Sequence, residues 1–289
     1  MLGHPIEPGQ GEGLREIFLH ANKRAWCYFS PFLCAFSLKP NRVVHVADIL
    51  GSTCLLVERP DGMDLLFPPI PYNDRVIEKL ADFNRGRLPR ILWVDADDGD
   101  RLRDCDLFLL KSKDSEYIYD PSCIAAAVGK PFRDLRKRVR RFERAFRPRF
   151  RPMNEHDVLD CQALLKHWRR RQGRRHPFLL DWGYTRAALD QFHVWSEEML
   201  QGWCVEIDGQ VDAFAMVGQM QPELAQFFIA KADPDLPDLS YFLRWQVYGK
   251  LSSYCKVNDA GDLGLPGMRQ FKQKFRPVER WPVFSAEPK

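Results

Sequence analysis

The sequence predicts an α/β protein with mixed sheets, divided into two domains. Its 289 residues exceed what one hydrophobic core usually holds and suit two domains of about 140 residues each. Short runs rich in β-branched and apolar residues alternate with segments whose apolar residues recur every three or four positions, a pattern typical of strands alternating with amphipathic helices. Hydrophobic residues make up 45% of the chain and charged residues 28%, which excludes a disordered or fibrous protein.

The first half of the chain predicts five strands and one helix. The helix covers "NDRVIEKLADFN", where Asn73 is the expected N-cap. A turn at Pro60-Asp61-Gly62 separates two of the strands. The predicted strands are "VVHVADIL", "TCLLVERP", "MDLLFPPI", "RILWVDAD" and "DLFLLKSKDSEYIYD".

Residues 130–152 form a strongly basic segment with eleven Lys or Arg residues against Asp134 and Glu143, a local charge of 11 − 2 = +9. Phe132, Leu135, Val139, Phe142 and Phe146 recur at helical spacing and draw one narrow apolar seam. Two interpretations stay open: a solvated connecting helix, or a surface for nucleic acid or anionic lipid. We take this segment as the link between domains 1–129 and 153–289.

The second half predicts the element order of an acetyltransferase-type α/β fold. After Asn154 as N-cap come helices at 156–172 and 185–200. Three strands follow, "GWCVEID", "QVDAFAMVGQ" and "ELAQFFIAKAD", the first two joined by the hairpin signal Asp208-Gly209. A helix, "LSYFLRWQVYGKL", and a strand, "SYCKVND", complete the order. The arginine-rich run 169–175 between the two helices is either a solvated loop or an extension of the basic segment.

Several classes of site are not indicated. The eight cysteines are scattered without a CxxC pair and the seven histidines show no metal-binding spacing, so we predict buried thiols and no metal site. The longest uncharged stretch has fourteen residues, Ala25 to Leu38, against the roughly 20 needed to span a bilayer. No secretory signal is recognisable. We therefore predict no transmembrane segment and a cytoplasmic location.

Coenzyme A is disfavoured by the loop that would hold its pyrophosphate. An acetyltransferase binds that group on backbone N–H donors of a glycine-rich loop opening a helix. Here the loop reads "ADPDLPDLS": it lacks glycine, its prolines lack N–H groups, and Asp233, Asp235 and Asp238 would repel a pyrophosphate. We predict no bound cofactor, with acyl-CoA a less favoured co-substrate.

The stretch "VNDAGDLGLPGMRQFKQKFRP" at 257–277 contains a helix that Pro266 is suited to begin. Two stripes run along it at the same spacing, Met268/Phe271/Phe275 and Arg269/Lys272/Arg276. The apolar stripe is expected to dock the helix. The cationic stripe either flanks that contact or presents charge to an anionic substrate.

Three motifs resemble, in order and spacing, the bacterial DUF2156 family: "EYIYD" at 116–120, "GKPFRDLRKRVRRF" at 129–142 and the stretch 257–277. That family is similar to the C-terminal domain of phosphatidylglycerol lysyltransferases. The resemblance implies two tandem GNAT-like acyltransferase domains, with the active site in the second, and transfer of an amino acid from aminoacyl-tRNA to an anionic phospholipid. The matching positions are Asn258, Asp262, Gly264, Gly267, Arg269, Lys272 and Pro277.

These features predict an aminoacyltransferase that uses aminoacyl-tRNA. Its acceptor is an amine or a hydroxyl group, and whether this belongs to an anionic lipid or to a small molecule stays open. The alternatives are an acyl-CoA N-acyltransferase and a non-enzymatic protein that binds nucleic acid or an anionic surface, with peripheral membrane contact. The predicted catalytic residues are Asp262, Arg269 and Lys272, and the predicted substrate-binding residues are Asn258, Tyr117 and Arg276. The predicted tRNA- or anion-binding residues are Arg136, Lys137, Arg140, Arg141, Arg144, Arg170, Arg171 and Arg174.

Overall fold

The protein is described here by a computed structural model that covers residues 2–37, 43–103, 106–172 and 181–289. The chain forms two compact units: unit 1 comprises Met1–Glu116 with Trp281–Lys289, and unit 2 comprises Tyr117–Arg280. These units do not follow the boundaries of the domains expected from sequence, 1–129, 130–152 and 153–289, which stay a prediction. Within the described residues, no helix is long and apolar enough to cross a membrane.

Among its described residues, unit 1 contains a mixed sheet and four helices. In its part of the sheet the strand order is β1-β2-β3-β4-β5-β12, with β4 and β5 parallel and the other described pairs antiparallel. Its core includes the buried Leu56, Leu65, Ile77 and Val94. The elements are β1 (His4–Pro5), α1 (Gly11–His20), α2 (Ser30–Phe36), β2 (Val44–Ile49), β3 (Ser52–Arg59), β4 (Gly62–Leu65), α3 (Asp74–Phe83), β5 (Ile91–Val94), α4 (Ala96–Arg103) and β6 (Phe108–Tyr119), whose last three residues belong to unit 2.

The described residues of unit 2 form part of a mixed sheet and six helices. Its strand order is β6-β11-β10-β9-β8-β7, with β10 and β11 parallel and the other pairs antiparallel. The elements are α5 (Pro121–Ala126), α6 (Arg133–Phe146), β7 (Arg149–Pro152), α7 (Val158–Gln172), α8 (Asp181–Asp190), β8 (Gln201–Ile207), β9 (Gln210–Gln221), β10 (Leu224–Ala232), α9 (Leu239–Lys250), β11 (Lys256–Asn258), α10 (Pro266–Gln273) and β12 (Glu279–Pro288), which enters unit 1 at Trp281.

The N-caps expected from sequence are present. The Asn73 side chain accepts a hydrogen bond from the Arg75 N–H at the start of α3. Asn154 accepts one from the His156 N–H ahead of α7, and the Asp157 carboxylate accepts the Asn154 N–H in return. Each cap satisfies backbone donors that the first helical turn leaves unpaired.

The basic segment folds as α6, and its apolar seam lies in the core of unit 2. Leu135, Val139 and Phe142 are buried, and the Phe142 ring lies 5.4 Å from that of Phe242 on α9, centroid to centroid. The seam therefore fixes the orientation of α6 and determines which of its cations face solvent.

The helix predicted at 185–200 is shorter than expected. α8 ends at Asp190, Phe192–Val194 form a 3₁₀ turn, and Trp195 is extended. Met199 and Leu200 are buried nevertheless. Helical spacing of apolar residues indicates which side chains are buried. Here a helix followed by turns buries them as well as one continuous helix would.

Replacing Phe142 by Ala should lower the free energy of unfolding by about 3–5 kcal/mol, because a large buried ring is removed and a cavity remains. Denaturant unfolding followed by circular dichroism measures the change. Lys137→Ala, on the exposed side of the same helix, serves as the control and should change it by less than about 0.5 kcal/mol. Equal midpoints for the two variants would contradict the burial of the seam.

Candidate functional site

The candidate site is built on the loop between β11 and α10, residues 259–265. β11 pairs with the end of β6, where Asn258 lies opposite Ile118. The pairing continues past the strand: the Tyr117 N–H donates to the Ala260 carbonyl and the Asp259 N–H to the Tyr117 carbonyl, both at 3.0 Å. The loop is thereby held beside Tyr117, a residue 145 positions away from Asp262 in sequence.

The loop turns sharply through residues with positive φ. Ala260 and Leu263 have φ of 50° and 56°, and Gly264 has 69°, a region in which glycine is least strained. The Asn258 side-chain oxygen accepts the Ala260 N–H at 2.9 Å. Asn258 is completely buried. It shapes the turn, and its predicted substrate-binding role stays a prediction.

A buried ionic cluster lies behind this loop. The Asp259 carboxylate pairs with Arg244 of α9, lies 3.5 Å from the Lys272 ammonium of α10, and accepts the Tyr248 hydroxyl at 3.4 Å. The Arg244 guanidinium also lies over the Phe227 ring, 4.4 Å from its centroid. Burial, and then the charge of Asp259, raise the pKa of Tyr248. The cluster ties α9, the loop and α10 together.

Lys272 was predicted to be catalytic, and this role stays a prediction. The structure places its side chain inside the protein. Its side chain is 5% exposed, and its ammonium donates to the carbonyls of Asp259 and Ala260, the latter at 3.2 Å. The Tyr119 hydroxyl in turn donates to the Lys272 carbonyl at 2.9 Å. The expected cationic stripe is interrupted because position 272 faces the loop.

Arg269, held by Asp262, is the part of this group that reaches solvent. One Asp262 oxygen accepts the Tyr117 hydroxyl at 2.6 Å and the Arg269 Nε–H at 3.0 Å. The other accepts the Gly264 N–H at 3.0 Å. The Asp262 side chain is 1% exposed and that of Arg269 is 56% exposed. A buried carboxylate therefore orients an accessible guanidinium.

The electrostatics keep Asp262 ionised and Tyr117 neutral. Burial opposes ionisation of Asp262, but hydrogen bonds from Tyr117, Arg269 and the Gly264 N–H outweigh it and lower its pKa. Burial and the hydrogen bond to Asp262 raise the pKa of Tyr117. Asp262 is consequently a weak base, and Tyr117 stays a hydroxyl donor.

Arg280 is a site residue that sequence reasoning missed. Its guanidinium carbon lies 3.5 Å from the centroid of the Tyr117 ring, and the residue is exposed. It adds a second accessible cation next to the Tyr117–Asp262–Arg269 group. The recognisable motif ends at Pro277, so nothing in the sequence pattern marked Arg280.

Arg244 and Asp259 were missed as a pair for a different reason, since helix α9 shows no motif of its own.

Arg276, the third predicted substrate-binding residue, contacts a different segment. Its Nε–H donates to the Pro131 carbonyl at 3.2 Å. An open, shallow depression of about 410 Å³, here called the α6 cleft, is lined by Lys130, Pro131, Arg133, Asp134 and Arg276. Arg276 thus belongs to the start of α6 rather than to the Asp262 group.

The predicted anion-binding residues of α6 fall into two groups. Arg136 donates to the carbonyls of Ala127 and Gly129, the latter at 2.8 Å, and Arg141 pairs with Asp238 at 2.9 Å through Nε. These two are used within the protein. Lys137, Arg140 and Arg144 are exposed, and none has an ion pair among the residues that the structure describes.

The arginines of the second basic run are also divided. Arg170 is exposed at the end of α7. Arg171 pairs with Asp235, with its Nε at 3.2 Å. Arg174 lies outside the described residues, so its predicted role is not addressed.

The loop at 232–240 keeps the acidic character that disfavoured coenzyme A. Asp238 occupies the N-cap position of α9 with φ of 69°, and its carboxylate holds Arg138 and Arg141. His167, Asp233 and Asp235 offer ligand atoms within 4.8 Å of one another, a group that could hold a metal ion. Arg171 already neutralises Asp235, and we assign no metal to this exposed group.

The family model described as phosphatidylglycerol lysyltransferase, C-terminal, matches residues 31–287. The chain belongs to this family. No curated protein sequence matches it. The predicted similarity to the C-terminal domain of phosphatidylglycerol lysyltransferases is confirmed by this match.

Three solved structures are similar over nearly the whole chain. A conserved protein of unknown function from Bacteroides thetaiotaomicron has a TM-score of 0.80 at 17% identity, covering 99% of both chains. L-PGS from Bacillus licheniformis has 0.70 at 16%, covering 99% of this chain and 93% of its own. The DUF2156 domain of a putative lysylphosphatidylglycerol synthetase from Agrobacterium fabrum has 0.67 at 14%, covering 96% and 91%. The predicted α/β fold of tandem GNAT-like type is confirmed, since a tandem GNAT protein also matches.

Replacing Lys272 by Met should lower the free energy of unfolding by about 3–5 kcal/mol, because a buried carboxylate and two carbonyls lose their ammonium partner. Thermal and denaturant unfolding measure the loss. Lys274→Met is the matched control two residues along the chain. It breaks a half-exposed pair with Asp134, which should cost no more than about 1 kcal/mol. Equal losses would show that Lys272 is not a structural cation.

Proposed function

We propose that this protein is an aminoacyltransferase that moves an amino acid from aminoacyl-tRNA to an amine or hydroxyl acceptor. Family membership over residues 31–287 supports an aminoacyltransferase of the lysyl-phosphatidylglycerol type. The observation that carries the proposal within the site is the half-exposed Arg269 held by the buried Asp262.

The reaction needs little chemistry from the protein. The acceptor nitrogen or oxygen attacks the carbonyl carbon of the aminoacyl ester, and negative charge develops on the carbonyl oxygen. Collapse of the intermediate breaks the bond to the ribose oxygen, which takes up the proton that the acceptor loses. Bringing the two substrates together and stabilising the developing charge are therefore the main demands.

Arg269 is suited to the second demand. Its Nε–H is committed to Asp262, which fixes the plane of the guanidinium while more than half of the side chain stays accessible. An arginine oriented in this way offers paired N–H donors to an oxyanion or a phosphate. Arg280, over the Tyr117 ring, adds positive charge nearby.

Asp262 is better suited to positioning than to proton removal. Its lowered pKa makes it a weak general base, and three donors already occupy its oxygens. The geometry favours a positioning role for Asp262, principally of Arg269. The acceptor's proton would then leave to the ribose oxygen or to solvent.

The acyl-CoA alternative is less well supported. The loop preceding α9 contains Asp233, Asp235 and Asp238, and two arginines of α6 are held by Asp238 instead of facing a ligand. A pyrophosphate would meet carboxylates and few backbone donors there.

A non-enzymatic anion-binding role predicts binding of tRNA without turnover of the ester.

The proposal is tested by incubating the protein with a mixture of labelled aminoacyl-tRNAs and following loss of the ester and appearance of labelled product. One arm contains phosphatidylglycerol vesicles and another contains soluble amines and alcohols, so that the acceptor class is read out directly. Acceptor-dependent loss of the ester is expected in at least one arm. Consumption of acetyl-CoA, with no loss of aminoacyl-tRNA above a blank without protein, would reject the proposal.

Arg269→Ala should reduce transfer about 100-fold or more, as expected when a donor to a developing oxyanion is removed. Arg269→Lys keeps the charge but loses the guanidinium fork, so it should recover only part of the rate. Gln270→Ala, at the next position, which is also exposed, is the control and should retain full activity. Full activity in Arg269→Ala would remove Arg269 from the site.

A further inference from the structure

α6 carries a continuous line of cations on the side opposite its buried seam. Arg133, Lys137, Arg140, Arg144 and Arg147, here called the α6 stripe, recur at intervals of four, three, four and three residues. At about 100° per residue the four members within α6 fall within about 60° of one another around the axis. Arg147 directly follows the last residue of the helix. All five are exposed. Over fourteen residues the stripe extends about 21 Å.

On the neighbouring face of the same helix, cations are paired with carboxylates. Arg138 pairs with Asp238 at 2.8 Å and with Asp134 at 3.1 Å, and Arg141 pairs with Asp238. Lys274 also pairs with Asp134, at 3.1 Å. Asp134 and Asp238 are thus engaged on this face. No member of the α6 stripe has an acidic partner within the described residues.

The stripe leads into the α6 cleft. Arg133 belongs to both, and Lys130 and Arg276 add two further cations to a space of about 410 Å³. The acid that lines the cleft, Asp134, is already compensated by Arg138 and Lys274. Cleft and stripe together present seven basic residues of unit 2 along one path.

A linear polyanion fits this path better than a membrane does. A helix that lies in a membrane interface inserts an apolar face, but the apolar face of α6 is buried in the core through Leu135, Val139 and Phe142. None of the exposed large hydrophobic residues among the described positions lies on α6. Four of its five members are arginine, which binds phosphate in a bidentate manner.

We propose that the α6 stripe binds the phosphodiester backbone of RNA, with the α6 cleft receiving one of its phosphates. The proposal rests on the proposed use of aminoacyl-tRNA and adds the surface that holds the RNA body. The basic residues then have two roles. Lys137, Arg140 and Arg144 contact RNA. Arg136, Arg138 and Arg141 form hydrogen bonds and ion pairs within the protein.

The test compares two triple variants of equal charge change. The stripe variant is Lys137→Gln, Arg140→Gln, Arg144→Gln; the control variant is Lys166→Gln, Arg186→Gln, Lys250→Gln, which removes three exposed cations from other helices of unit 2. Binding of deacylated tRNA is measured by fluorescence anisotropy over a range of KCl concentrations. Circular dichroism and thermal unfolding verify that both variants fold.

The stripe variant should bind tRNA at least about tenfold more weakly and lower the slope of log K against log salt by about three, one for each phosphate that is no longer neutralised. The control variant should bind tRNA with an affinity within about threefold of that of the unaltered protein, because it lowers the overall charge equally but leaves the α6 stripe intact. In the transfer assay, the stripe variant should raise KM for aminoacyl-tRNA and leave kcat unchanged.

Three results would overturn the proposal: unchanged tRNA binding by the stripe variant, an equal loss in the control, or a loss confined to binding of phosphatidylglycerol vesicles. The last would assign the surface to a membrane. Deacylated tRNA requires no turnover, so failure of the transfer reaction and failure of RNA docking are separate outcomes. Arg269→Ala should retain tRNA affinity while losing transfer.

Discussion

The ionic cluster of Asp259, Arg244 and Lys272 is the constraint on which the site depends. Two cations and one carboxylate are removed from water together, so each needs the others to offset its desolvation. Because they come from α9, the β11–α10 loop and α10, the cluster fixes the path of the loop and, through it, the position of Asp262. The accessible chemistry of Arg269 is therefore set by charges that no substrate can reach.

The same residue types perform opposite tasks within a few positions. Arg269 and Lys272 are one helical turn apart, yet one is more than half exposed and the other is buried. This difference in exposure follows from the orientation of α10 about its axis. The hydrogen bond from the Tyr119 hydroxyl to the Lys272 carbonyl and the burial of Phe275 fix that orientation. The cations of α6 divide in the same way, according to whether Asp134 and Asp238 lie within reach.

Sequence reasoning recovered the α/β class, the seam of α6 and the caps at Asn73 and Asn154, because periodicity and capping are local properties. It selected Asp262 and Arg269 from a motif. It could not foresee the burial of Lys272, because spacing on a helix does not tell which neighbouring stripe meets a loop. It could not find Arg280 or the Arg244–Asp259 pair, since these contacts join residues that are distant in sequence or lie outside any motif.

The route of the chain through its two units has a consequence for synthesis. Unit 1 is discontinuous: β5 pairs with β12, and Trp281–Lys289 emerge from the ribosome only after all of unit 2 has been made. Until then β5 lacks its β12 neighbour, an open edge that invites pairing with other chains. The unit that is synthesised first is thus the last to be completed, and a nascent chain halted inside unit 2 would leave that edge uncovered.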